Sequence, residues 1–346
     1  MYLSQRFTRR ALALAVACAV ASPAVAQEVS WTAKLAQEVD SNPARLSGEG
    51  STSDTATRVS ISADGNHAPH TDWRLHGQAY AAARFYRRAT GNDTALIDAS
   101  ATASWAPSQR WRAQTTLSGR DTAERDDGRD YRTLSASHGW RVGSRRAGLR
   151  VAIDGTHFLY KPDRSFEWHG WRTPLTFEAR PVDALRLNVG GSVGRRFFPH
   201  RRLSPGEVRR VDRVYGMSGA LTYGQGRVQF GLRWTSEWLG SNEDGKDFVR
   251  HTVSPSLSVV PAGDLLVRVS ARVQRGRCLE SCALIDEFER ADEETRNRVS
   301  VVVEHPLGLE WLWGEARYQR FSQSFEGASE GDFLRHVGML GVAVRR

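Results

Sequence analysis

The chain is built from short segments in which apolar and polar residues alternate, and this pattern continues almost to its last residue. In the segment 265–275, for example, Leu265 and Val267 alternate with Arg268, and Arg272 keeps the same parity as Arg268. A period of two residues is typical of a strand with one apolar and one polar face. With no long apolar run after the N-terminal region, the pattern predicts an all-β fold, a transmembrane antiparallel β-barrel.

The connections between segments alternate between tight turns and long loops. Pro261-Ala262-Gly263-Asp264 is a tight turn, whereas the next connection runs from Gly276 to Glu294. Barrels in an asymmetric membrane have short periplasmic turns and longer extracellular loops, so we predict about sixteen strands, within a range of 14 to 18. The segments are 28–40, 56–64, 72–87, 94–105, 110–121, 130–140, 147–160, 165–179, 185–198, 210–223, 227–239, 248–260, 265–275, 295–304, 309–321 and 332–345.

The N-terminal region has the three parts of an export signal. Three arginines precede the apolar run Ala11 to Ala21, and Ala24-Val25-Ala26 matches a cleavage site of small residues. The run is too short to cross a bilayer as a helix. We therefore predict a signal peptide at residues 1–26, one barrel domain at residues 27–346, and a location in the cell outer membrane of a Gram-negative envelope.

The charge balance is basic. The whole chain carries a formal net charge of +9, and removing the three signal arginines leaves +6. Because an exported chain rarely meets nucleic acid, we expect no nucleic-acid partner and favour an anionic envelope partner or anionic cargo. The expected partners are outer-membrane lipid, lipopolysaccharide and the barrel assembly machinery.

Strand parity assigns an inward face to many basic residues and to fewer acidic ones. A lumen rich in guanidinium groups favours anionic cargo. The alternative is a wall braced by opposed charges, with carboxylates such as Glu237 as partners. The inward acids are Glu38, Asp40, Asp154, Glu237 and Glu304. The candidate cargo-contacting residues are Lys34, Arg74, Arg112, Arg150, Arg186, Arg196, Arg233, Arg268 and Arg272, and Arg84 and Arg120 share their parity.

Tryptophans lie near the predicted tight turns, where a membrane-interface girdle needs amphipathic rings. In the segment 309–321, alternation does not show which face points inward, because Trp313 shares its parity with Glu315 and Arg317. The girdle candidates are Trp73, Trp105, Trp111, Trp140 and Trp311.

Catalytic and metal-binding motifs are not evident. The sequence has no His-Glu-x-x-His motif, and His157, His169 and His200 have no evident nucleophile beside them. Cys278 and Cys282 are close together with no further metal ligands nearby, which favours a disulfide in an exported chain. We expect no enzyme activity, no metal and no cofactor.

The first predicted strand ends in Glu38-Val39-Asp40-Ser41-Asn42-Pro43. This ending resembles that of the first strand in Gram-negative barrels of the putative β-barrel porin type, some of which accompany polysaccharide secretion machines. The plan of the whole chain resembles barrels that export alginate, poly-N-acetylglucosamine and other exopolysaccharides. The resemblance implies exopolysaccharide export, with periplasmic polysaccharide export proteins as partners. The alternatives are a general or small-anion porin with a constricting loop, and a structural or enzymatic barrel with a plugged lumen.

The cysteine pair gives a direct test. We predict a Cys278–Cys282 disulfide in protein isolated from the envelope, so thiol titration of the mature chain without reductant should detect no free thiol. Two free thiols would contradict the disulfide and reopen metal binding.

Overall fold

The computed structural model describes residues 28–44, 52–126, 130–203, 208–279, 297–323 and 333–346. They form a closed barrel of sixteen antiparallel strands in chain order, which confirms the predicted fold class and strand number. The strands are β1 (Glu28–Asp40), β2 (Asp54–His70), β3 (Trp73–Tyr86), β4 (Thr94–Ser108), β5 (Trp111–Glu124), β6 (Tyr131–Gly143), β7 (Ala147–Tyr160), β8 (Trp168–Val182), β9 (Leu185–Arg202), β10 (Arg209–Gln225), β11 (Val228–Ser241), β12 (Phe248–Val259), β13 (Leu266–Cys278), β14 (Asn297–Pro306), β15 (Leu312–Gln323) and β16 (Phe333–Arg345).

Short and long connections lie at opposite ends of the barrel. Only Thr71 and Asp72 separate β2 from β3. Gly226 and Arg227 alone separate β10 from β11, and Gly226 has a φ of 56°, which glycine adopts without steric cost. The connections at the other end are longer, and two of them contain single 3-10 turns, Thr90–Asn92 and Arg164–Phe166. We call these ends the short-turn end and the long-loop end.

Register assigns every strand an inner and an outer face, because residues directly opposite each other share a face. Tyr80, Asp98 and Arg120 form one such row on β3, β4 and β5. The inner face is identified by ion pairs that reach over an intervening strand, such as Lys34 on β1 with Glu315 on β15.

The outer face is apolar and solvent-exposed along most of each strand, as a lipid-facing surface should be. The exposed apolar side chains include Leu35 and Val39 on β1 and Leu232 on β11. The predicted girdle residues are all exposed and lie near short turns: Trp73, Trp105, Trp111, Trp140 and Trp311.

Two strands differ most clearly from the sequence-based description. β2 continues to His70, six residues beyond its predicted end, because its polar tail still pairs with β3. There Asn66 Oδ1 lies 2.9 Å from His76 Nδ1, so cross-strand polar contacts replace apolar alternation. In β15 the register places Glu315 and Arg317 on the inner face together with Trp313, which assigns the strand that parity left open.

Some predictions fall outside the described residues. The signal peptide at residues 1–26 is one, and the disulfide is another because Cys282 is not described. No helix among the described residues is long and apolar enough to cross a membrane.

The barrel closes where β1 pairs with β16. The ladder runs from Thr32 opposite Arg345 to Asp40 opposite Val337, and Trp31 N donates to Arg346 O at 2.8 Å. Gly341 lies opposite Ala36, where an added Cβ would sit 2.7 Å from the Ala36 Cβ. The close approach of the first and last strands therefore requires glycine at this position.

This contact predicts an unequal response of two glycines on β16. Gly341→Ala should destabilise the barrel by about 1–3 kcal/mol, the usual range for an overpacked site. Gly338→Ala is the matched control, because nothing lies within 4 Å of its added Cβ, and it should change stability by less than about 0.5 kcal/mol. Thermal unfolding in detergent checks both, and equal effects would contradict the close-approach argument.

Candidate functional site

The interior of the barrel holds the predicted cargo-contacting residues. Register places all of them on the inner face, together with the inward acids Glu38, Asp40, Asp154, Glu237 and Glu304. The residues so placed are Lys34, Arg74, Arg112, Arg150, Arg186, Arg196, Arg233, Arg268 and Arg272. They do not share one environment, because two of them form ion pairs with wall carboxylates and six others do not.

Lys34 is a paired residue near the closure. Its Nζ lies 2.6 Å from Glu315 Oε2 and 3.8 Å from Glu304 Oε1. Arg317 also contacts Glu315, at 2.6 Å, and Arg345 contacts Glu304, at 2.7 Å. These contacts join β1, β14, β15 and β16, so this part of the wall is cross-braced.

Glu38 is the centre of a second cluster on β1, β2 and β3. Its carboxylate is buried and lies 2.8 Å from Arg84 Nε and 3.3 Å from Arg58 Nη1. Arg58 also donates to the Tyr80 hydroxyl at 3.1 Å. Both guanidiniums are thereby held against the wall.

Asp40 and Arg335 form the most buried pair, with side chains 0% and 1% exposed. Arg335 donates to both carboxylate oxygens of Asp40 at 2.6 to 3.0 Å, and the Tyr86 hydroxyl donates to Asp40 at 2.7 Å. Arg335 lies on β16 and Tyr86 on β3, so the pair links strands on either side of β1. Such a bidentate contact fixes both orientation and distance.

Further pairs lie towards the long-loop end. Glu237 accepts from Arg250 at 3.0 Å and from Arg196 at 3.4 Å, and Arg210 donates to the buried Asp212 at 2.9 Å. Aromatic rings cover several of these guanidiniums at 4.3 to 5.5 Å from the ring centroid: Trp168 under Arg196, Phe198 under Arg210, and Phe248 under Arg250. Among the described residues, these guanidinium charges are therefore neutralised by wall carboxylates.

Six inward arginines have a different environment. In the part of the chain that the structure describes, none of their guanidinium groups has a hydrogen bond, ion pair or ring contact, and all but the half-buried Arg150 are exposed. Each lies on a strand that begins at the short-turn end, within its first six residues. We call them the short-turn arginines: Arg74 on β3, Arg112 on β5, Arg150 on β7, Arg186 on β9, Arg233 on β11 and Arg268 on β13.

Small polar side chains lie directly opposite five of the short-turn arginines, and Arg112 and Arg150 each face a third arginine, Arg141. Ser104 faces Arg74, Thr176 faces Arg150, and Thr222 faces Arg186. Ser254 and Ser258 on β12 face Arg233 and Arg268. Because none of these serine and threonine partners carries charge, the guanidiniums remain available to groups in the lumen. Glu237 does not brace Arg233, since its contacts are with Arg196 and Arg250.

Several inward residues were missed from the sequence. Arg141 lies just beyond the predicted end of its segment, and the nearest residues that share the parity of Arg172 are Gly170 and Pro174, which carry no charge. Arg335 shares its parity with Val337 and Met339, so alternation alone gives it no facing direction. For Arg172, the opposite parity of its apolar neighbours was a usable signal; for Arg335 the pattern carried none.

The histidines considered as catalytic candidates partly converge. Glu167 lies between His157 Nε2, at 3.7 Å, and His200 Nε2, at 3.3 Å. Among the described residues, no group of three or more His, Cys, Asp or Glu side chains is arranged to hold a metal ion.

Comparison with known proteins gives a structural likeness only. No protein-family model matches the sequence, and no curated protein matches it. The structure aligns with OmpF of Salmonella typhi in complex with daunomycin, with 10% identity and a TM-score of 0.52 over 92% of this chain and 97% of that one. The chain has the fold of outer-membrane β-barrel proteins.

Two further solved structures align with lower TM-scores. In-vitro folded OmpT of Vibrio cholerae aligns with 11% identity and a TM-score of 0.47 over 92% of this chain and 97% of that one. A bacterial polysaccharide outer membrane secretin aligns with 8% identity and a TM-score of 0.44 over 91% and 98%. These likenesses concern the barrel itself and identify no cargo.

The buried pair predicts a large loss of stability on disruption. Asp40→Asn should cost about 3–5 kcal/mol, because it leaves the Arg335 charge buried without its counter-ion. The control is Asp98→Asn, which removes a pair with Arg120 whose side chains are 34% and 32% exposed and should cost at most about 1 kcal/mol. Chemical denaturation in detergent measures both, and similar losses would contradict the ranking.

Proposed function

We propose that the barrel conducts anionic cargo, and that this cargo is an exopolysaccharide strand leaving the cell. The observation that carries the proposal is the set of short-turn arginines, whose guanidiniums project from the inner wall without wall carboxylates to neutralise them. Sixteen-stranded barrels leave an aqueous channel, and rings of arginine side chains select for anions in such channels.

The distribution of the arginines supports a polymeric cargo. They lie on six strands from β3 to β13, so they surround much of the circumference at one end. A chain of many like charges contacts several guanidiniums at once, and the linked contacts reinforce each other through effective concentration. A single small anion gains nothing from this spread.

The orientation of the barrel in the membrane determines the end at which cargo enters. With the short turns in the periplasm, as in barrels of this class, the basic end faces the compartment from which the polymer arrives. Periplasmic polysaccharide export proteins would then deliver the strand to this end. Anionic cargo is concentrated at such an entrance by the field of the arginines.

Planar-bilayer recording tests conduction. The wild-type barrel should pass an anion-selective current, and the triple variant Arg186→Glu, Arg233→Glu, Arg268→Glu should shift the reversal potential towards cation selectivity. The matched control makes the same charge change on the outer face, in Arg195→Glu, Arg213→Glu, Arg275→Glu, which register places away from the lumen. This control should keep the anion selectivity.

Absence of wild-type conductance would contradict the channel and favour a structural or enzymatic barrel. Unchanged selectivity with lowered thermal stability in the triple variant would instead identify the arginines as wall braces. To separate polymer from small anions, liposomes containing the barrel should release an anionic oligosaccharide faster than a neutral one of equal size. Release of chloride alone would indicate a small-anion porin.

A further inference from the structure

Three arginines lie side by side on the inner wall near the short-turn end. Arg112 on β5 is directly opposite Arg141 on β6, and Arg141 is directly opposite Arg150 on β7. Opposed residues on one face of a sheet have Cβ atoms about 4.5–5.5 Å apart, and like charges in these positions are destabilising. The row therefore concentrates positive charge. Acidic residues on neighbouring strands would normally offset the resulting repulsion.

One carboxylate partly compensates this row. Arg141 Nε donates to Glu178 Oε2 on β8 at 2.8 Å, and Arg141 Nη2 donates to the Ser144 carbonyl at 2.9 Å. The guanidinium reaches Glu178 by passing over Gly148, where an added Cβ would lie 2.7 Å from Arg141 Cζ. Glu178 is thus committed to the central arginine, and Arg112 and Arg150 keep uncompensated charges on either side of it.

Between the two uncompensated arginines, β6 and β7 approach each other closely. The next inward positions along these strands are Gly139 and Ala152, which face each other, and an added Cβ on Gly139 would meet Ala152 Cβ at 2.8 Å. Both residues are buried, and neither carries a long or polar side chain. Polar side chains lie next to them, because Gln114 is opposite Gly139 and Thr176 is opposite Arg150.

We propose that Arg112 and Arg150 form a binding site for the carboxylate of an acidic sugar, with Gln114 and Thr176 available to its hydroxyl groups. A carboxylate accepts paired N–H donors from guanidinium groups, and its charge would relieve the repulsion along the row. The assignment deepens the proposed function, on which it rests for the source of the carboxylate.

A ligand-dependent stability measurement tests this site. Sodium glucuronate, against glucose with sodium chloride at equal ionic strength, should raise the unfolding temperature of the wild-type barrel in a saturable manner. The double variant Arg112→Gln, Arg150→Gln should lose this shift. Without glucuronate it should unfold at or above the wild-type temperature, since it loses like-charge repulsion and no ion pair.

The matched control is Arg186→Gln, Arg268→Gln, which removes the same charge from the same end of the barrel and should keep the shift. Loss of the shift in both double variants would overturn the site, as would absence of a saturable shift in the wild type. A shift with inorganic phosphate but none with glucuronate would overturn the carboxylate assignment. Lower stability of Arg112→Gln, Arg150→Gln without ligand would identify the row as a brace.

Failure here and failure of the channel are distinguishable. The selectivity measurement uses Arg186, Arg233 and Arg268, none of which belongs to the row. An anion-selective wild-type current together with no glucuronate effect would overturn the sugar site alone.

Discussion

Closure of the sheet is the constraint on which the rest of the structure depends. In a hydrocarbon environment a strand edge with free N–H and C=O groups is not tolerated, so the first and last strands must pair. The Asp40–Arg335 contact fixes this junction from the inside, because a bidentate pair between β1 and β16 permits little sliding of one strand past the other. Tyr86 extends the connection to β3.

Paired and unpaired charges occupy different regions of the described wall. Near the closure and at the long-loop end, basic and acidic side chains are present together and aromatic rings cover several cations. Ion pairs of this kind between neighbouring strands resist sliding, as cross-strand pairs do in other sheets. From β3 to β13 at the short-turn end, tight turns already fix the register. Ion pairs between side chains are therefore not needed there to hold neighbouring strands in place. Unpaired arginines are found in this region.

Strand number, strand order and most facing directions could be predicted from the sequence because lipid imposes a strict parity on each strand. Register places Arg74 and Arg268 on the inner face, and their immediate neighbours are apolar and point outward. Arg335 could not be assigned in this way. Its inward neighbours, Val337 and Met339, are apolar because they pack against the braced junction instead of facing water.

Pairing was beyond what periodicity can predict. Whether Glu237 meets Arg233 on its own strand or Arg196 and Arg250 on adjacent strands depends on the stagger between strands, and parity carries no information about stagger. The same holds for Arg141, whose route to Glu178 depends on the absence of a side chain at Gly148. Sequence therefore identifies which residues face the interior, while the closed sheet determines which of them neutralise each other.

The unequal wall has a consequence for any charged chain that crosses it. Bases and acids occur together on the closure side, from β14 through β2, whereas the strands from β3 to β13 carry the exposed arginines. At the short-turn end, the described part of the wall therefore has more unpaired positive charge on the side formed by β3 to β13. A polyanion that entered at this end would be drawn towards that side, away from the central axis of the barrel.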